Sequence, residues 1–209
     1  MLKTKTAANA RPGKSVPESK HLKKRSSGKV EVLSSTLQYK GPLFSVYSDH
    51  VLEPGGAESQ RDVVRHGGSV VILAVDESRS RRDPLVVLER QYRHAAGKYL
   101  WELPAGSIDE GEKRLPAAKR ELIEETGYRA RKWTPLTRYY ASPGFLAEWM
   151  QIYLAEDLTL GDARPEHDER IEIYLVPLSE VLRLVDEGEI QDGKTLIGVQ
   201  IYARRRKSR

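Results

Sequence analysis

The sequence predicts an α/β fold with a small antiparallel sheet at its N-terminal side, and three observations carry this. SVVILAV, from Ser69 to Val75, is a near-continuous apolar run, the mark of a strand buried on both faces. Residues 116–126 read as one short helix, with Pro116 suited to its first position and Gly127 suited to the left-handed residue just past its end. Between Lys29 and Gly68 lie three short stretches of strand-like composition with little helical pattern.

A chain of 209 residues can bury a good core as one domain with a small second lobe. It contains no cysteine, which excludes disulfides and thiolate zinc sites within it. No apolar run approaches the ~20 residues a membrane helix needs, and the basic N-terminus lacks the apolar core of a secretory signal. The expectation is a cytoplasmic protein with no membrane partner. The net charge of +5 hides an asymmetry: residues 1–29 carry nine Lys/Arg against one Glu, and residues 204–209 carry five Lys/Arg and no acid. The body between holds 21 basic and 29 acidic residues. An acidic domain with two basic tails does not read as a nucleic-acid-binding fold. The tails at 1–28 and 204–209 offer RNA or anionic surfaces only weak charge attraction, and the first is expected to be disordered.

In chain order, VEVLSSTLQY, PLFSVYSDHVLE and ESQRDVVRHGG are three strands separated by turns at Lys40-Gly41-Pro42 and Pro54-Gly55-Gly56. They are too short to stand alone and must pack on the rest of the chain or on another copy of it. SVVILAV follows, then a polar loop and the second central strand LVVLERQYR, which ends in Arg90, Arg93 and His94. Pro104 and Gly106 enforce an irregular backbone before the helix. In the helix, Leu115, Ala118 and Leu122 make a buried stripe. Glu121, Glu124 and Glu125 stand at i, i+3 and i+4 on a different face, so their carboxylates crowd. Like charges so placed cost roughly a few tenths of a kcal/mol each, and the helix dipole disfavours anions toward this end. Hard divalent cations bind such oxygens; Lys119 and Arg120 are the alternative, as ordinary neutralising partners. RKWTPLTRYYASPG is a strand running into a Ser142-Pro143-Gly144 turn. FLAEWMQIYLAEDL and IEIYLV are further strands, flanking the acidic loop GDARPEHDER. Two helices close the chain, EVLRLVDEG with Ser179 as its N-cap, and TLIGVQIYARRR, whose apolar face must pack on the central sheet.

The helix acids belong to a longer pattern. Gly106, Glu112, Arg120-Glu121, an apolar Leu122, Glu124-Glu125 and Gly127 make seven fixed polar or glycine positions over 23 residues, the complete Nudix signature. The chain resembles the Nudix hydrolases, which cleave a nucleoside diphosphate linked to another group. Tyr128 departs from the pattern, the family usually having an aliphatic residue there. Pro143, sixteen residues beyond Gly127, resembles the ADP-ribose pyrophosphatase branch.

The resemblance covers about residues 30–203 and implies a Nudix α/β/α sandwich with mixed central sheets and a small N-terminal antiparallel sheet. The domain division it suggests is a basic tail at 1–28, a small lobe at 29–66 for dimerisation and the nucleoside pocket, the Nudix domain at 67–203, and a basic tail at 204–209. The activity it implies is Mg2+-dependent hydrolysis of ADP-ribose or related ADP-sugars to AMP and ribose 5-phosphate, with Mn2+ as the other cation and a homodimer as the assembly. Its implied metal ligands are the Ala105 carbonyl, Glu121, Glu124 and Glu125. Glu112 and Arg120 would position those carboxylates. Glu169, then Glu166, are the choices for an acid that takes the proton from the attacking water, beside the catalytic Glu121 and Glu125. For substrate the implied set is Arg93 and Arg61 on the phosphates, Glu102, Glu148 and Pro143 around them, and Phe44, with Tyr47 second, stacking on adenine. Two other readings stay open: a pyrophosphatase for GDP-mannose or another nucleotide sugar, and a non-catalytic nucleotide- or RNA-binding module.

Overall fold

Around the buried run at Ser69–Asp76 the chain assembles a mixed seven-stranded sheet, and a separate three-stranded sheet precedes it. The computed structural model describes residues 28–163 and 170–207. The N-terminal sheet is an antiparallel meander of β1 (Glu31–Lys40), β2 (Ser45–Leu52) and β3 (Glu58–Arg65). The larger sheet is built on β4 (Ser69–Asp76), β5 (Leu85–Arg93), β6 (Lys98–Glu102), β7 (Ala105–Ser107), β8 (Tyr128–Tyr140), β9 (Trp149–Leu160) and β10 (Ile171–Pro177). Its main path runs β10-β5-β4-β9-β8, with β6 paired to β5 and β7 to β4. Only the β4–β9 ladder is parallel; every other pairing in it is antiparallel.

Seven of the eight residues of β4 are buried, as an apolar run in a doubly covered strand requires. One face carries Val70, Ile72 and Ala74 against Ala117, Ala118 and Leu122 of α1 (Arg114–Thr126). The other carries Val71, Leu73 and Val75 in a cluster with Leu178 and Val181 of α2 (Leu178–Asp186) and Val199 and Tyr202 of α3 (Gly193–Lys207). Helices therefore cover both faces of the sheet, which is the expected sandwich.

Several local expectations are corrected. The signature helix begins at Arg114 rather than Pro116, after Lys113, which makes no side-chain cap; proline is tolerated there because the first turn has no use for its missing N–H. Its end is as expected: Gly127 sits at φ 74°, and its N–H bonds Ile123 O. Ser179 is not the cap of α2. It lies inside the helix, and Asp83 from the β4–β5 loop accepts its N–H at 2.9 Å and its hydroxyl at 2.7 Å. Phe145–Glu148 precede β9 as a turn stitched to β3, with Val64 N–H donating to Phe145 O and Ala147 N–H to Val64 O. Residues 204–207 are the last turn of α3 rather than a separate tail: Arg206 pairs with Glu77 at 2.9 Å and Arg205 donates to Leu136 O.

Candidate active site

The signature helix meets the strand–turn segment 102–107 at one cavity of about 560 Å3. Glu121, Glu124 and Glu125 line it from α1, with Ala105, Gly106 and Ser107 from β7. Gly106 allows a close approach. A Cβ there would stand 2.0 Å from Glu121 Cδ, so only glycine lets that carboxylate lie against the β7 backbone. Glu125, buried at the root of the helix, accepts the Ala105 N–H at 3.1 Å, which orients the neighbouring peptide of the 104–106 turn.

Arg120 holds the acids in place. Its guanidinium donates to Glu112 Oε1 and Oε2 (3.2 and 2.9 Å), Glu121 Oε1 (2.8 Å), Glu124 Oε2 (3.0 Å) and Ser107 O (3.1 Å). The fork pre-orders three carboxylates that would otherwise repel one another. It also holds the Glu112 carboxyl below the usual carboxylate range. Behind Glu125 lies Glu89, 1% exposed. Burial pushes its carboxyl up to about 8, and it hydrogen-bonds Glu125. Glu89 Oε1 is a buried side-chain oxygen with no partner among the described residues.

Cations and further polar groups complete the wall. Arg93, at the end of β5, gives its Nε and Nη2 to Glu102 at 2.8 and 2.7 Å, and the residue lines the cavity. Burial draws the Glu102 carboxyl upward, but Arg93 and Lys194 outweigh it and hold the group below its ordinary value. Glu148 lines the cavity and accepts from Ser69 Oγ at 2.7 Å, with His66 Nδ1 3.7 Å away.

The remaining sequence-predicted residues lie elsewhere. Glu102 sits behind the cavity rather than in its lining, because two cations enclose it. Arg61 is on the exposed side of β3, paired with Glu53 at 2.5 Å, and does not line the cavity within one chain. Pro143 is exposed in its turn. Phe44 packs on Tyr39 with ring centroids 5.7 Å apart, and it is the adjacent Leu43 that reaches the cavity. Tyr47 lies under Arg65 at 4.0 Å. Glu166 and Glu169 lie outside the described residues. Sequence reasoning missed His66, Ser69, Met150 and Lys194 in the lining, and Glu89 behind it.

The acids of this wall offer carboxylate oxygens, which is the donor chemistry of a hard divalent cation. Among the described residues no three acidic or histidine side chains converge closely enough to form a ready cage. An ion that keeps several waters and shares its coordination with substrate phosphate needs no such cage. Glu121, Glu124, Glu125 and the Ala105 carbonyl fit it on that basis.

An α/β sandwich with this carboxylate helix over a cavity defines a class of hydrolase, and the comparisons name it. The NUDIX domain model matches residues 65–196. ADP-ribose pyrophosphatase of Bacillus subtilis (strain 168) is 35% identical over 184 residues, covering 87% of this chain and 93% of that protein. The protein of the same name from Mycobacterium tuberculosis is 38% identical over 173 residues, covering 81% of each. The solved structure of an ADP compounds hydrolase superposes with a TM-score of 0.75 at 22% identity, covering 88% of this chain and 97% of the other, a likeness of fold. The chain belongs to the Nudix family and is a Nudix hydrolase.

Proposed function

We propose that this chain hydrolyses the pyrophosphate bond of ADP-ribose, or a closely related ADP-sugar, to AMP and ribose 5-phosphate, using Mg2+ or Mn2+. The observation that carries the reading is the opposition, within one cavity, of the Arg120-ordered carboxylates of α1 to the cation Arg93. A doubly charged diphosphate needs both: anions to hold its cation, and a guanidinium to take its oxygens directly. The names of the two relatives supply the ADP-ribose moiety.

When bound, the cation supplies charge neutralisation at the diphosphate. Glu121, Glu124, Glu125 and the Ala105 carbonyl would hold it. Arg120 keeps the carboxylates from rearranging when substrate arrives, so little reorganisation is left for the reaction itself. Arg93, fixed by its fork to Glu102, presents its remaining N–H groups to phosphate oxygen. The proton of the attacking water is assigned to Glu169, with Glu166 second, on family resemblance alone. Glu148, which lines the same cavity, is assigned to the substrate as well. Arg61, Pro143 and an aromatic ring of the first sheet, Phe44 before Tyr47, are assigned to the nucleoside end in a homodimer, where a second copy brings its N-terminal sheet to this cavity. That assembly is favoured by Val32, Leu33, Leu37, Tyr39 and Leu43, all exposed in a single chain.

Phosphorus NMR of ADP-ribose incubated with enzyme and Mg2+ tests the substrate, with GDP-mannose in parallel. AMP and ribose 5-phosphate as the faster-forming products are the expected result. Faster turnover of GDP-mannose overturns the ADP-ribose assignment.

A further inference from the structure

Lys194 is a buried cation that the proposed chemistry leaves without a task. It lies in the first turn of α3, is 7% exposed, and lines the same cavity as Arg93 and the α1 acids. Its Nζ donates to Glu102 Oε2 and stands 3.1 Å from Asp192 Oδ1. Glu102 also takes the two-pronged donation of Arg93, so one carboxylate that stays out of the cavity lining braces two cations that reach it.

The position of Lys194 is set with unusual redundancy. Asp192 Oδ2 caps α3 by accepting Thr195 N–H at 2.9 Å and Thr195 Oγ1 at 2.6 Å. That same Oγ1 accepts the buried Leu103 N–H at 2.8 Å. The start of α3 is thus tied to the segment that carries Glu102, Leu103 and Ala105, and Lys194 cannot shift without moving it. A buried ion pair kept only for stability is a poor use of these groups, since apolar replacements of similar volume are often neutral or better. An ammonium also has three donors. Among the described residues Glu102 accepts one and Asp192 offers an ion pair, so a phosphate oxygen in the cavity would complete the set.

We propose that Lys194 is a second phosphate-contacting cation beside Arg93, with Glu102 as the positioning residue shared by both. This rests on the diphosphate reading above. It places a substrate contact on the C-terminal helix, so that the helices of both faces, α1 and α3, serve one diphosphate.

Inorganic pyrophosphate is the probe, titrated calorimetrically in the presence of Mg2+ into wild type, Lys194→Met and Lys194→Arg. Lys194→Met should bind it at least ~10-fold more weakly and with a shallower ionic-strength dependence, as loss of a contacting charge requires. Lys194→Arg should stay within ~3-fold of wild type. A merely structural lysine would change thermal stability and leave the salt dependence alone. Wild-type protein supplies a reading that needs no variant to fold: the Lys194 ammonium resonance in a proton–nitrogen spectrum should move when pyrophosphate is added. Native pyrophosphate affinity in Lys194→Met, or an unmoved resonance at saturation, overturns the proposal. ADP-ribose hydrolysis alongside an unmoved resonance removes this inference alone. A moved resonance in an enzyme that spares ADP-ribose but cuts another diphosphate removes only the substrate assignment.

Discussion

The two sheets of this chain solve the burial problem in different ways. In β4 seven of eight residues are buried, and both faces are covered by helices of the same chain. In β1 all ten residues are exposed, including Leu37 at 48% and Val32 at 56%. The N-terminal sheet instead holds itself together through polar contacts. Ser35 Oγ donates to Asp49 Oδ1, and Arg65 closes on both Asp49 oxygens at 3.1 and 3.0 Å. The half that positions the signature helix carries its own core, whereas the other half leaves apolar side chains exposed in a single chain.

Matched truncations sharpen the contrast. Ile72→Ala removes a fully buried side chain beneath α1 and should cost about 2–5 kcal/mol, on the order of ten degrees in Tm by thermal melt. Leu37→Ala should shift the melt of the isolated chain by no more than about 0.5 kcal/mol. Equal losses would mean that the first sheet has a core of its own. Within the buried half, Glu125→Gln should lower kcat for ADP-ribose by at least ~100-fold while circular dichroism stays native, since it removes an interaction made toward the transition state. A near-native rate would put the metal site elsewhere. Across the exposed half, Leu37→Asp should convert a dimer into monomers in sedimentation velocity, because a charge would be desolvated in the interface. Wild type that sediments as a monomer would leave β1 bare and end the dimer proposal.

The smallest effect concerns pH. The Ser35 hydroxyl first, and then Arg65, hold the Asp49 carboxyl below its ordinary 3.8. A folded value below the unfolded one contributes stability that is present above pH 3.8 and lost as pH falls through the folded value. Acid titration followed by tyrosine fluorescence should show this limb in wild type and a flatter one in Asp49→Asn. An unchanged limb would assign acid sensitivity to the larger sheet.

The fold and half of the site were legible because their signals are local. Glu121, Glu124 and Glu125 declare a shared face by helical spacing, and Gly106 and Gly127 mark where backbone and carboxylate crowd or a helix must stop. The other half was not legible because its partners are distant in sequence. Lys194 and Glu102 are 92 residues apart, as are Thr195 and Leu103, and no periodicity connects them. Glu102 was expected at the substrate and stands behind the cavity lining, since sequence alone does not reveal that two cations enclose one acid. Leu43 rather than Phe44 reaches the cavity, and both lie in the irregular bend before β2, where no strand alternation tells which side chain turns inward.

The bond from Leu103 N–H to Thr195 Oγ1 also makes the 102–105 segment depend on a helix near the end of the chain. The signature helix leaves the ribosome some seventy residues before the start of α3 (Thr126 against Thr195), so the carboxylate face can form on a nascent chain whose 102–105 segment still lacks its anchor. On such a chain the acids of α1 precede the anchor of the 102–105 segment, so the cavity takes its final shape only when α3 docks.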